Sequence, residues 1–154
     1  MQVKLIAEDL TYSIIGGGQE VYNNLRLGFL EHVYVMALER ELRARGHRVA
    51  REVSIMISYK GEELTTQRMD MLVDDTVIIE VKSGLRLHES ASQQLYNYLR
   101  ATRIEVGLLF FFGPKGLSHF RVVCSNPESS VTQARAFSDG SGTLISADPA
   151  DRRR

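Results

Sequence analysis

The chain is short of several features that usually declare a function. It holds one cysteine, Cys124, which excludes an intramolecular disulfide framework and any multi-cysteine zinc site. Nineteen Lys and Arg balance nineteen Asp and Glu, so there is no bulk basic excess of the kind that marks many nucleic-acid binders. Any phosphate-binding surface must therefore be local. No apolar run approaches the roughly 18–20 residues that span a bilayer, and the first nine residues lack the charged-then-apolar layout of a secretory signal. The four histidines, His32, His47, His88 and His119, are scattered with no pair at metal-ligand spacing. Gly16-Gly17-Gly18 lacks the further glycine and the Gly-Lys-Ser/Thr of a nucleotide loop, and no internal repeat is visible. These absences predict a soluble, intracellular protein of a reducing cytoplasm, with no membrane partner.

With 154 residues, 44% of them apolar and 25% charged, one compact domain with a proper core is expected. Helical spacing runs from Gly16 to Arg45 through Tyr34, Leu38 and Leu42, with Gly28 dividing it in two and Gly46 at a C-cap position. Val49 to Tyr59 reads as a strand, followed by a turn at Lys60-Gly61-Glu62-Glu63. A second strand ends near Leu72-Val73, and a third covers Val77 to Lys82 across the Asp74-Asp75-Thr76 connection. Residues His88 to Arg103 return to helical spacing. Val106 to Phe112 is an apolar run suited to a central strand, and Ser118 to Cys124 supplies a fifth strand paired to it. The order predicts an α/β mixed sheet flanked by helices. Residues 125–154, rich in Ser, Asp, Gly and Ala, read as a polar, flexible tail behind a domain of residues 1–124.

The hairpin around residue 75 carries the most informative cluster. If Asp74 to Thr76 closes it, Asp70 lies directly across from Glu80, with Cβ atoms within roughly 5 Å. Glu80 and Lys82 are two apart on one strand and share a face with Asp70, whereas Ile79 and Val81 point the other way. Three ionisable groups at the margin of a core cost free energy unless they are paired or bind something. The residues alone leave two readings open. One is a cross-strand salt bridge from Lys82; the other is a magnesium site with two hard carboxylate ligands and a lysine beside them. Glu31 falls along the apolar stripe of its helix with Tyr34 and Leu38, so it is expected to lean inward. Gln94 and Tyr98 are four apart on one helical face, and both can hydrogen-bond a phosphate or a water. The arginines at 40, 43, 45, 48 and 51 form either a solvated face or a local phosphate-contacting patch.

Arg68-Met69-Asp70, Ile79-Glu80-Val81-Lys82 and Gln94-Leu95-Tyr96-Asn97-Tyr98 together resemble the PD-(D/E)XK nuclease superfamily, the last of them its RecB-type Gln-x-x-x-Tyr element. Within it the chain is similar to the family named for Gly-x-x-Glu-x-x-Tyr, here Gly28 to Tyr34, and the likeness extends from about Ile14 to Val123. One departure is the bend before the first motif, Leu25-Arg26-Leu27-Gly28, where the family has a Leu-Gly-Pro-Gly-like sequence.

The resemblance implies a restriction-endonuclease-like αβββαβ core and metal-dependent hydrolysis of phosphodiesters. It implies Asp70 and Glu80 as ligands of Mg²⁺, for which Mn²⁺ should substitute, with Glu31 and the carbonyl of Val81 as further ligands. Lys82 is then the catalytic lysine, and Gln94 and Tyr98 orient substrate or water. Arg26 and Tyr34 are candidate substrate contacts. The implied partner is nucleic acid, DNA ahead of RNA, with a protein partner or a homodimer as further possibilities. The alternative is a catalytically silent module that keeps the fold and binds nucleic acid or a protein.

Overall fold

The computed structural model describes residues 2–125, 135–137 and 144–146, with side-chain surroundings for residues 7–125. Two helices, α1 (Gln2–Leu25) and α2 (Glu31–Ala44), precede three antiparallel strands, β1 (Val49–Tyr59), β2 (Glu62–Val73) and β3 (Val77–Ser83). Helix α3 (Ser90–Thr102) then crosses over to β4 (Val106–Gly113), which runs parallel to β3, and β5 (Gly116–Val123) returns antiparallel to β4. Two three-residue strands, β6 (Arg135–Phe137) and β7 (Leu144–Ser146), extend the sheet beyond β1, in the order β5-β4-β3-β2-β1-β6-β7. The sequence pattern places no element after Cys124. Strands this short, in polar sequence, leave no periodicity to read.

Helix α1 starts fourteen residues before Gly16, where the helical spacing of the sequence becomes legible. The glycine triplet therefore sits inside a helix, and packing explains it. A Cβ on Gly18 would lie 2.6 Å from Phe110 and 2.9 Å from Leu117, and one on Gly17 would lie 2.9 Å from Leu42. The glycines let α1 approach β4, β5 and α2 more closely than a side chain permits.

Helix α2 ends in a Schellman motif. The His47 N–H donates to Leu42 O and the Gly46 N–H to Arg43 O, both at 3.0 Å, with Gly46 at φ +90°. This turn throws His47 toward the β2–β3 connection. There Nδ1 lies 2.8 Å from Asp74 Oδ2 and Nε2 lies 2.7 Å from Ser13 Oγ of α1. The second Asp74 oxygen accepts the Arg48 N–H at 2.8 Å. Asp74 and Asp75 adopt φ of +50° and +53°, tolerated by aspartate in tight turns. The hairpin closes as the sequence predicts, with Val73 facing Val77, Leu72 facing Ile78 and Met71 facing Ile79.

The sheet is covered on both faces. On one, Met71, Val73, Val77, Ile79, Val81, Leu108, Phe110 and Phe112 pack against α1 and α2. On the other, Val53, Ile55, Met69, Leu72, Ile78 and Leu109 pack under α3 through Ala91, Leu95, Tyr98 and Leu99. Strand β4 is buried almost throughout, as its apolar run predicts, but it lies second from one edge, between β3 and β5, rather than at the centre of the sheet.

Candidate active site

Beyond Met71 and Ile79 the backbone ladder between β2 and β3 stops, and side chains continue it. The Asp70 N–H donates to Glu80 Oε1 at 3.2 Å, and the Val81 N–H donates to Asp70 Oδ2 at 2.8 Å. Each carboxylate thus bonds the partner strand's backbone, and the two acids face each other where the strands part. The register expected from the three-residue connection holds as far as Met71 and Ile79, and at the next rung the two acids bond the backbone in place of a ladder pair.

Alternation along β3 turns Glu80 toward the α3 side, opposite Ile79 and Val81. Glu80 is 3% exposed, the one charged residue that is buried among the described residues. Burial first, and the neighbouring Asp70 charge second, push its carboxyl up to about 9. Asp70 is also raised, chiefly by burial, against the opposing pull of the Val81 N–H and Lys82. At neutral pH without a cation, Glu80 holds a proton. Lys82 is half-buried, and its charge favours ionisation of both acids. Among the described residues it forms no ion pair, so the cross-strand salt bridge that the sequence left open is not built.

Helix α3 brings Tyr98 over the pair. Its ring is buried, and burial with the Glu80 charge pushes its hydroxyl up to about 12, so it stays protonated. Gln94 Nε2 donates to the Tyr98 hydroxyl oxygen at 3.0 Å, which leaves that hydroxyl's own proton to be donated elsewhere. Asp70, Glu80, Lys82, Tyr98 and Gln94 therefore gather on one side of the sheet.

Glu31 does not join them as the inward-leaning acid expected from its helical stripe. It is the first residue of α2 and is exposed, and the buried part of the stripe it shares with Tyr34 and Leu38 begins only at Tyr34. Its carboxylate suits the helix N-terminus there. Among the described residues no group of three or more His, Cys, Asp or Glu gathers closely enough to hold a metal ion. Tyr34 also departs from expectation. It is fully buried, stacks on Phe112 with centroids 4.3 Å apart, and turns its hydroxyl to Arg26 O while accepting the Phe29 N–H. A buried tyrosine spent on the α1–α2 bend makes no substrate contact, so its motif position is structural. Arg26 is exposed in that bend at φ +60°, and Ser83 Oγ donates to Phe29 O at 3.3 Å, which ties the bend to the end of β3.

The arginine cluster is largely neutralised. Arg43 pairs with Glu39, Arg45 with Glu41, Arg51 with Glu39 and Arg48 with Asp75, at 3.0–3.3 Å. It is a solvated face laced with ion pairs. One acid has no signal among the sequence motifs, Glu52 of β1. The β1–β2 register carries it to the rung of Asp70. A hairpin closed at Lys60-Gly61 alone sets it one residue away, and the irregularity between Ile57 and Ser58 supplies the remaining step.

A family model described as the PD-(D/E)XK nuclease superfamily matches residues 8–122. No functionally curated protein matches the sequence. Among solved structures, the crystal structure of SSO0001 is similar at a TM-score of 0.49 and 18% identity, over 60% of this chain and 48% of that one. No described helix is long and apolar enough to cross a membrane. With its mixed sheet flanked by helices in the restriction-endonuclease-like arrangement, the chain belongs to the PD-(D/E)XK nuclease superfamily.

Proposed function

We propose that the protein is a divalent-metal-dependent nuclease of the Gly-x-x-Glu-x-x-Tyr kind, with a RecB-type Gln94/Tyr98 element, hydrolysing phosphodiester bonds of nucleic acid, DNA ahead of RNA. The observation that carries this reading is the facing of Asp70 and Glu80 at the point where β2 and β3 part, with Lys82 and Tyr98 beside them. Two close carboxylates that burial and mutual repulsion force to share a proton form a donor set suited to a hard cation. Asp70 and Glu80 would hold Mg²⁺ or Mn²⁺, with the Val81 carbonyl as a further ligand. When bound, the ion supplies an activated water and neutralises charge on the phosphate.

The chain's own residues do the rest. Glu80, protonated without a cation, would have to release that proton to serve as a ligand. Lys82 sits beside both acids, where its ammonium orients the attacking water and meets the charge that grows on the phosphate oxygens. The Tyr98 hydroxyl, kept protonated and held by Gln94, donates to substrate or water. Arg26, exposed at the bend tied to β3, would contact a phosphate of the substrate, a role that its exposure supports.

The test is incubation with labelled single- and double-stranded DNA and RNA in Mg²⁺, Mn²⁺ or EDTA, beside Lys82→Ala and Asp70→Asn. Cleavage by the wild type alone, abolished by EDTA, is the expected result. Cleavage that persists in Lys82→Ala or in EDTA overturns the assignment. A second reading, a silent binding module, draws on the exposure of Glu31 away from the acid pair. Nucleic-acid binding without turnover by any of these proteins would favour it.

A further inference from the structure

Glu52 occupies a broken rung. Pairing of β1 with β2 runs from Val49–Val73 to Arg51–Met71 and resumes at Val53–Met69 in the same register, so Glu52 and Asp70 face each other without joining the ladder. Glu52 also takes φ +52°, a left-handed conformation that costs a non-glycine residue about 1 kcal/mol or more. The effect on the sheet is visible on both strands. Arg51 reaches Glu39 of α2 on one face, whereas Val53 packs under α3 on the other; Met71 and Met69 change faces in the same way. Residues two apart on a regular strand share a face. The ribbon therefore rolls over at this rung, and the fold line runs through the two acids.

The Glu52 side chain is exposed, and among the described residues it has no hydrogen-bond or ion-pair partner. Its charge bears on Asp70, opposing ionisation there. A strained backbone and a like charge beside a buried acid both oppose folding, and no contact of the Glu52 side chain offsets them. Strain of this kind persists where the geometry it produces is used.

We propose that Glu52 is the third acidic residue of the site, acting on the ion held by Asp70 and Glu80 through an intervening water, the place that sequence similarity assigns to Glu31. The inference rests on the metal-dependent reading above. Action through water follows from the geometry, since Glu52 is exposed and no three acids come within direct ligand range among the described residues. Glu52 is accordingly a positioning residue, orienting water on the ion.

The experiment is calorimetric titration of the full chain with Mn²⁺ in the absence of nucleic acid, for wild type, Glu52→Gln, Glu52→Gly and Glu31→Gln, with melting temperatures of each metal-free protein. Glu52→Gln keeps the side chain's size and removes its charge. Its Mn²⁺ dissociation constant should rise about tenfold, as for other groups that act on a metal at second hand. Its metal-free melting temperature should stay level or rise. Glu52→Gly, which suits the left-handed backbone, should lose affinity equally while remaining folded, and Glu31→Gln should lose less. Unchanged Mn²⁺ affinity in Glu52→Gln overturns the inference, as does a larger loss in Glu31→Gln or a wild type that binds no Mn²⁺. Weakened binding in Glu52→Gln with a wild type that cleaves nothing upholds the inference and removes the nuclease reading instead.

Discussion

Strand β3 has two faces that obey different rules. Toward α1 and α2 it presents Val77, Ile79 and Val81, all buried among aliphatic and aromatic side chains in a contact surface so close that α1 needs glycines to reach it. Toward α3 it presents Ile78, then Glu80 and Lys82, and the covering helix answers with Leu95 and Leu99 at one end and Tyr98 near the acid. The first face is optimised for stability. The second surrenders some, because Glu80 is driven to hold a proton that water would let it release. One strand of seven residues thus separates a packed apolar face from a face that carries ionisable groups by alternation alone.

The sharpest way to break the contrast is truncation on the first face. Ile79→Ala should lower unfolding free energy by about 2–5 kcal/mol, measured by urea denaturation, while Mn²⁺ affinity of the remaining folded protein is retained. Overpacking the same face comes next. Gly18→Ala should cost about 1–3 kcal/mol, because its Cβ meets the Phe110 ring at 2.6 Å.

The second face should respond with the opposite sign. Between its ordinary value of 4.5 and its folded value of about 9, Glu80 retains in the folded protein a proton that the unfolded chain gives up. The Glu80 contribution to metal-free stability should therefore be complete below pH 4.5 and be lost as pH rises through about 9. Glu80→Gln should raise the metal-free melting temperature at pH 8 and flatten its pH dependence, while abolishing stabilisation by Mn²⁺. Melting curves from pH 5 to 9 decide this, and a less stable Gln variant would show that the acid pair holds the strands together. The smallest effect belongs to neither face. Arg48→Ala, at an exposed pair with Asp75, should change stability by less than about 0.5 kcal/mol.

Much of this arrangement can be read from the residues in order. The three-residue connection after Val73 determines which residues face each other, and alternation then puts Asp70, Glu80 and Lys82 together from local rules alone. The helical spacing of Gln94 and Tyr98 survives for the same reason, as a local periodicity that tertiary packing does not alter. What escapes is whatever depends on a distant neighbour. Helix α1 carries a glycine triplet in its second half, explained only by the side chains it packs against. Glu31 keeps its stripe but is exposed in the first turn of α2, before the buried residues of that helix begin at Tyr34. The roll at Glu52 belongs to two strands jointly and has no signature in either.

The crossover through α3 has a consequence for the newly made chain. Asp70, Glu80 and Lys82 are all present once the β2–β3 hairpin exists, but the tyrosine that covers them arrives with residues 90–102, and the strand that flanks β3 comes later still. A partial chain ending before Ser90 carries the acids without their cover, so water reaches both carboxylates and the forced sharing of a proton is relaxed. The site acquires its character only when the helix docks. A growing polypeptide therefore bears the two acids and the lysine well before it bears the environment that shifts their charge state.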